Sequence, residues 1–282
     1  MKGVNAFLKG VGLKNVRPTV YAWFFNFFFS IFIYLGYYWA FSTAAGKTKI
    51  AADVAGEIGI FTFIADISRN YNGSLSLLFL LALLAALLFF LVSIFVSAGI
   101  YSVLVGDERT TFSNLIASSV ENFFSMLKIF LVNILNWAAA LFIPGILLFL
   151  FLKIESLHLN ETALQIFTYI WIAITLLLFI LSTAIYDFSR IFKLKEDRNV
   201  FYSFKKAIIF TFSNKLNLAV VFLIYAVSLL VLFFIYVLFN HFLEDLLYVF
   251  FLFMIYQGFI LVRYFLKVVV MRAEIQLTEI TR

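Results

Sequence analysis

The side chains with most chemistry to offer lie where a catalytic or metal site would make little use of them. The chain has two histidines, His158 and His241, and both read as residues of short outer connections. Axial ligation of a haem within a membrane calls for an intramembrane imidazole, so no haem or other cofactor is expected. Cysteine is absent, which removes disulfides and thiolate metal sites. No Asp or Glu falls in the middle of a long apolar segment, where proton relays and ion-coupled transporters usually hold one. The polarity inside those segments is neutral: Asn26, Asn133, Asn136 beside Trp137, and Gln257. Asn133, Asn136 and Gln257 have two readings. One is a polar pocket where Pro144-Gly145 opens a helix; the other is hydrogen bonding between helices, worth roughly 0.6 kcal/mol per contact. Neither paired carboxylates nor an activated nucleophile can be assembled, so no catalytic site is expected and the chain reads as a non-enzyme.

Composition dictates the elements that must carry these residues. Of 282 residues 65% are hydrophobic and only 13% charged, with 39 Phe, and the mean hydropathy is +1.06; hydrocarbon, not water, is the solvent for such a chain. A spanning helix needs about 20 apolar residues to cross about 30 Å. Six stretches reach or approach that length, at about 19–42, 75–106, 129–152, 163–186, 216–240 and 246–271. Arg17-Pro18 marks the first helix start, since proline is tolerated in a first turn. The second stretch exceeds what a bilayer needs and must tilt or project. Pro144 removes a backbone hydrogen bond from the third and predicts a kink. The sixth loses its uncharged character at Arg263 and continues as helix toward Arg272. Lipid gives backbone amides no partner, and the apolar residues do not alternate as in barrel strands. The expected fold is therefore all-α: one integral membrane domain over 1–282, a polytopic bundle of six transmembrane helices with amphipathic interfacial helices. The first span is too long for the roughly 7 to 15 apolar residues of a signal peptide, so it is expected to be retained.

Charge orients the bundle. Lys2, Lys9, Lys14 and Arg17; Arg109 and Lys128; Arg190, Lys193, Lys195, Arg198, Lys205, Lys206 and Lys215; and Arg263, Lys267, Arg272 and Arg282 fall on one side of the six spans. Lys47, Lys49, Arg69 and Lys153 fall on the other. The positive-inside rule places both termini in the cytoplasm. Near the basic surface, Arg190, Lys193, Lys195, Arg198, Lys205, Lys206, Arg263 and Lys267 are candidate contacts for anionic lipid, each worth about 1 kcal/mol close to the surface. That charge already serves topology, and nucleic acid is not an expected partner.

The connections have patterns of their own. Residues 1–17 form a basic interfacial segment, in which Val4, Phe7, Leu8 and Val11 recur at helical spacing, as in a helix lying among headgroups. On the outer side Ile50, Val54, Ile58, Phe61 and Ala65 recur likewise over 50–68, as an interfacial helix or a cap. The two long cytoplasmic connections share one plan. Ser97-Ala-Gly-Ile-Tyr101 leads through Asp107-Glu108-Arg109 to Phe112 and Phe124-Ser-Met-Leu-Lys128. Ser182-Thr-Ala-Ile-Tyr186 leads through Glu196-Asp197-Arg198 to Phe201 and Phe212-Ser-Asn-Lys215. Amphipathic stretches, 111–124 and 200–212, follow each turn. Both copies lie on one side, so a symmetry axis would run along the membrane normal.

Ala98-Gly99-Ile-Tyr-Ser-Val-Leu, the charged turn after it, and Ala207-Ile-Ile-Phe-Thr-Phe-Ser213-Asn214-Lys215 together resemble the membrane domain attached to some bacterial glycerophosphodiester phosphodiesterases, and related six-helix families. The likeness covers about 75–240 and implies the same architecture in a bacterial cytoplasmic membrane. The chain ends soon after its last span, so the phosphodiesterase barrel and its activity are not expected with it. The functional expectation is a scaffold, a lipid-organising protein or a subunit of a membrane assembly, with anionic lipids, a protein partner or a second copy bound at the cytoplasmic face. The alternative is a small-molecule or lipid transporter or channel with its pocket near Asn133, Asn136 and Gln257.

Overall fold

In the computed structural model the described residues are 2–45, 72–107, 110–155, 161–243 and 249–281. The outer stretch 50–68 and His158 lie outside them. Among the described residues there are eight α-helices and no strand: α1 (Lys2–Gly10), α2 (Val16–Ala45), α3 (Asn72–Gly106), α4 (Phe112–Glu155), α5 (Glu161–Glu196), α6 (Val200–Ser213), α7 (Lys215–Leu243) and α8 (Val249–Ile280). Five stretches are long and apolar enough to cross a membrane: Ala82–Gly106, Phe112–Leu150, Leu164–Glu196, Lys215–His241 and Phe253–Ile280. The protein is an all-α, multipass membrane protein.

The chain divides into two compact units, Tyr21–Val96 and Met1–Val20 with Ser97–Arg282. In the first, α2 carries ring stacks one turn apart, Trp23 on Phe27 at 5.1 Å and Phe24 on Phe28 at 6.4 Å. Phe29 meets Phe89 of α3 at 5.7 Å.

The second unit is built from antiparallel neighbours. Trp171 of α5 donates its indole N–H to the Pro144 carbonyl of α4 at 2.8 Å, and Trp137 stacks on Phe179 at 6.1 Å. Helix α4 continues through Pro144 for 44 residues, so the expected amphipathic stretch and third span form one rod. Helix α6 folds back on α5, with Phe210 against Phe188 at 4.8 Å and Phe192 at 5.5 Å, and an ion pair joining Lys206 to Glu196. A single residue, Asn214, separates α6 from α7.

The two charged turns are made by the same device. Asp107, with φ 48, and Asp197, with φ 43, adopt the left-handed conformation after α3 and α5, which Asp tolerates better than most residues because its short carboxylate bonds locally. The two related sequence segments thus share helix, left-handed Asp and following helix.

Helix α1 forms within the expected basic segment and packs through a face that its apolar spacing did not indicate. Its buried face is Gly3, Ala6, Phe7 and Gly10, while Val4, Leu8 and Val11 are exposed. The reason is close backbone approach. A Cβ on Gly3 would lie 2.5 Å from the Asn217 carbonyl oxygen of α7, and one on Gly10 would lie 2.7 Å from that of Val269 in α8. The helix therefore docks on α7 and α8 through its small residues and turns its branched apolar residues outward. Buried Asn15 secures the exit: it donates to the Gly10 carbonyl, its own carbonyl accepts from Thr19 at 2.7 Å, and its Oδ1 accepts from Arg272 at 3.3 Å.

Candidate functional site

The basic ends of α3, α5 and α8 enclose a cluster of polar and charged side chains. Arg190, 6% exposed, is its centre. Its Nη2 donates to Asp187 Oδ1, one turn earlier on α5, and to the Tyr101 hydroxyl of α3 at 3.2 Å. Tyr101 in turn donates to Asp187 Oδ1 at 3.1 Å. The guanidinium plane is flanked by two rings, with Cζ 4.2 Å from the Tyr101 centroid and 4.0 Å from that of Tyr186. A delocalised cation is held well by aromatic faces, and a planar fork satisfies several acceptors that a lysine could not. Arg190 Nε, also buried, has no hydrogen-bond partner among the described residues.

Tyr101 and Tyr186 occupy matching places in the two related segments. The approach of α3 to its neighbour also depends on that segment: a Cβ on Gly99 would overlap Ser119 Oγ and lie 2.5 Å from the Leu115 carbonyl oxygen of α4. Gly99 lets Tyr101 enter the core, where it is fully buried.

From α8, Glu274 is fully buried and neither carboxyl oxygen has a hydrogen-bond partner among the described residues. Asp187, Arg190, Tyr101 and Lys267 are its electrostatic neighbours. The same end of α8 is fastened on both sides. Arg272 pairs with Asp107 at 2.6 Å, and Lys195 donates to Thr278 at 2.8 Å and pairs with Glu279 at 3.0 Å.

The expected lipid contacts divide accordingly. Arg190 is enclosed and cannot present its charge to headgroups, because α5 continues as helix to Glu196 and turns it inward. Lys193, Lys195 and Lys206 are ion-paired with Asp197, Glu279 and Glu196. Lys206 also lies 5.0 Å over the Phe192 ring. Arg198, Lys205, Arg263 and Lys267 are exposed. Beside Lys193, the Asp197 carboxyl is held below its ordinary value, first by the hydrogen bond from the ammonium and then by its charge.

Of the three residues expected at a polar pocket, Asn133 and Asn136 are brought together by hydrogen bonds. Asn136 donates to Asn133 Oδ1 at 3.1 Å and to the Ser182 carbonyl of α5 at 3.4 Å. Asn133 Nδ2 and Trp137 Nε1, one turn apart, are buried without partners among the described residues. Gln257 is half-buried on α8, and the hydrogen bonds of the asparagines run to each other and to α5 rather than to it. His241, expected in a connection, is exposed in the last turn of α7.

Sequence reasoning missed the α3–α5–α8 cluster because its members sit at the ends of spans, where charge reads as topology. Two signals pointed to it: Asp187 and Arg190 share a helix face at i,i+3, and Glu274 falls among apolar residues, Val268, Val269, Val270, Met271, Ala273, Ile275 and Leu277, with which it is buried. No protein-family model, curated protein or solved structure matches the chain.

Proposed function

We propose that the chain is a non-enzymatic component of a bacterial cytoplasmic membrane, crossing it six times with both termini inside, and that it organises lipid or joins a larger assembly through its spans. One observation carries the proposal. The fully buried side chains gather toward the basic helix ends, whereas the most apolar stretch of α5 contains no buried residue and that of α7 only 11%. A helix in hydrocarbon gains nothing from hiding apolar area against itself, so such surfaces are completed by acyl chains or by other helices. The charge bias supports the orientation, the exposed Arg198, Lys205, Arg263 and Lys267 suit anionic headgroups on the cytoplasmic side, and the resemblance to phosphodiesterase membrane domains agrees with an accessory role. Native mass spectrometry of the protein released from nanodiscs tests this: retained anionic lipid or a stoichiometric partner supports it, and a bare monomer that passes solute across liposomes refutes it.

The unpartnered Asn133 and Trp137 donors favour a second reading, a transporter or channel. Two buried N–H groups one turn apart would receive a carbonyl or hydroxyl oxygen entering beside α4. Under this reading Asn133→Ala abolishes solute flux while leaving the fold intact; under the first it changes no flux.

A further inference from the structure

Glu274 combines complete burial and two unpartnered oxygens with a junction whose buried cation, Arg190, is already paired with Asp187. Around it, α5 contributes Asp187 and Arg190, α3 contributes Tyr101, α7 contributes Tyr225, and its own helix contributes Lys267 two turns away. Helix α1 meets this part of α8 through Gly10, against Val269 and Ala273. The Asp187–Arg190 pair is closed upon itself and shared with the Tyr101 hydroxyl. An ionised Glu274 would therefore set a second carboxylate beside the paired Asp187 in a site without water access, with Lys267 two turns off and exposed, against the desolvation penalty of a buried charge.

We infer that Glu274 is a proton-binding site, a carboxylic acid held neutral at the meeting of α3, α5 and α8. The geometry selects a proton over a metal cation, because Asp187 Oδ1 is already taken twice, by Arg190 and by Tyr101, and no third ligating side chain joins Asp187 and Glu274 among the described residues. The Tyr101 hydroxyl, beside Glu274, accepts from Arg190 and has a second lone pair free for a carboxyl O–H. The proton leaves to solvent only when α8 separates from α3 and α5, and the carboxylate then remains in the opened, hydrated junction. Proton occupancy is thereby tied to the seating of α8.

Infrared spectroscopy of the wild-type protein in nanodiscs, with glutamate carrying 13C at the side-chain δ-carboxyl, reads this directly at about pH 8, where exposed glutamates are ionised. A label-sensitive carboxylic-acid carbonyl band is expected, and it should vanish in Glu274→Gln. Absence of that band in the wild type overturns the proposal, whether or not the variant folds. Unfolding in mixed micelles gives a second readout. Above roughly pH 5 the unfolded chain has lost the Glu274 proton and the folded chain keeps it. The wild-type unfolding constant should therefore rise about tenfold per pH unit until the folded protein also ionises. Glu274→Gln should remove that rise. A variant that retains it, or a wild type stabilised by sodium at constant ionic strength, rules the proton site out.

Discussion

Replacing Arg190 by methionine isolates what the α3–α5–α8 cluster contributes to folding. The guanidinium is 7% accessible and its Asp187 partner 14%, so removing the cation leaves a carboxylate and a tyrosine hydroxyl inside the protein without their donor. Breaking a buried pair from one side costs about 3–5 kcal/mol. The residual access at Asp187 lets water soften this, while loss of two aromatic contacts at 4.2 and 4.0 Å adds to it, so we expect about 4 kcal/mol. Asp187→Leu leaves the arginine stranded and should cost a similar amount. The double variant strands neither charge. It should cost only about 1–3 kcal/mol, mainly for the Tyr101 hydroxyl left with fewer partners. The two single effects should thus overshoot the double by about 3 kcal/mol or more. Reversible unfolding in mixed micelles measures all four corners of the cycle. If Arg190→Met falls within about 1 kcal/mol of wild type, or if the single effects add in the double, the cluster is not a coupled buried unit and its description as one is wrong.

Three further outcomes follow from the geometry. Gly10→Val should undock α1, since its side chain would begin 2.7 Å from the rigid Val269 carbonyl and overpacking costs about 1–3 kcal/mol; a cysteine at Ala6, fully buried in the docked helix, should then react with a maleimide, while Gly12→Ala, which has nothing within 4 Å, should leave it protected. Asp107→Asn keeps a residue that tolerates φ 48 and loses only solvent-accessible ion pairs to Lys14 and Arg272, so it should lower stability by less than about 1 kcal/mol, whereas Asp107→Val, β-branched in that conformation, should add roughly 1–2 kcal/mol of strain. The Asp197 carboxyl titrates below its ordinary value because of Lys193; its stabilising contribution is present above the unfolded value of about 3.9 and is lost as pH falls through the lower folded value. Lys193→Ala should move the Asp197 NMR titration upward to the ordinary carboxylate range.

The long helices are legible in the sequence because length and apolarity are local properties, and the left-handed turns at Asp107 and Asp197 fall inside the two charged motifs that already looked alike. What the sequence conceals is which side of a helix meets which neighbour. Residues Val4, Leu8 and Val11 supply the apolar stripe that periodicity finds, yet contact with α7 and α8 goes through Gly3, Ala6 and Gly10, since close approach selects for lack of side chain rather than hydrophobicity. Arg190 shows the same limitation for charge. It reads as one of seven basic residues between two spans, and only continuation of α5 to Glu196 turns it inward toward Tyr101. Glu274 and Tyr101 are brought together by tertiary packing, which no spacing rule along the chain could have supplied.

The cluster also bears on the internal repeat. If the two related segments were independent copies, each would be expected to satisfy its own terminal tyrosine. Instead Tyr101 and Tyr186 lie on one guanidinium, and that guanidinium belongs to the second segment. The sharing makes the segments unequal: the first supplies a ring and a hydroxyl, the second a ring and an ion pair. Helix α8 belongs to neither, yet it engages both turns, through Arg272 at Asp107 and through Lys195 on Glu279, and it places Glu274 next to the shared arginine. A displacement of α8 therefore acts on both segments at once. Since the spans bury little of their apolar surface against one another, this junction is where a change at the basic end would be passed to more than one long helix.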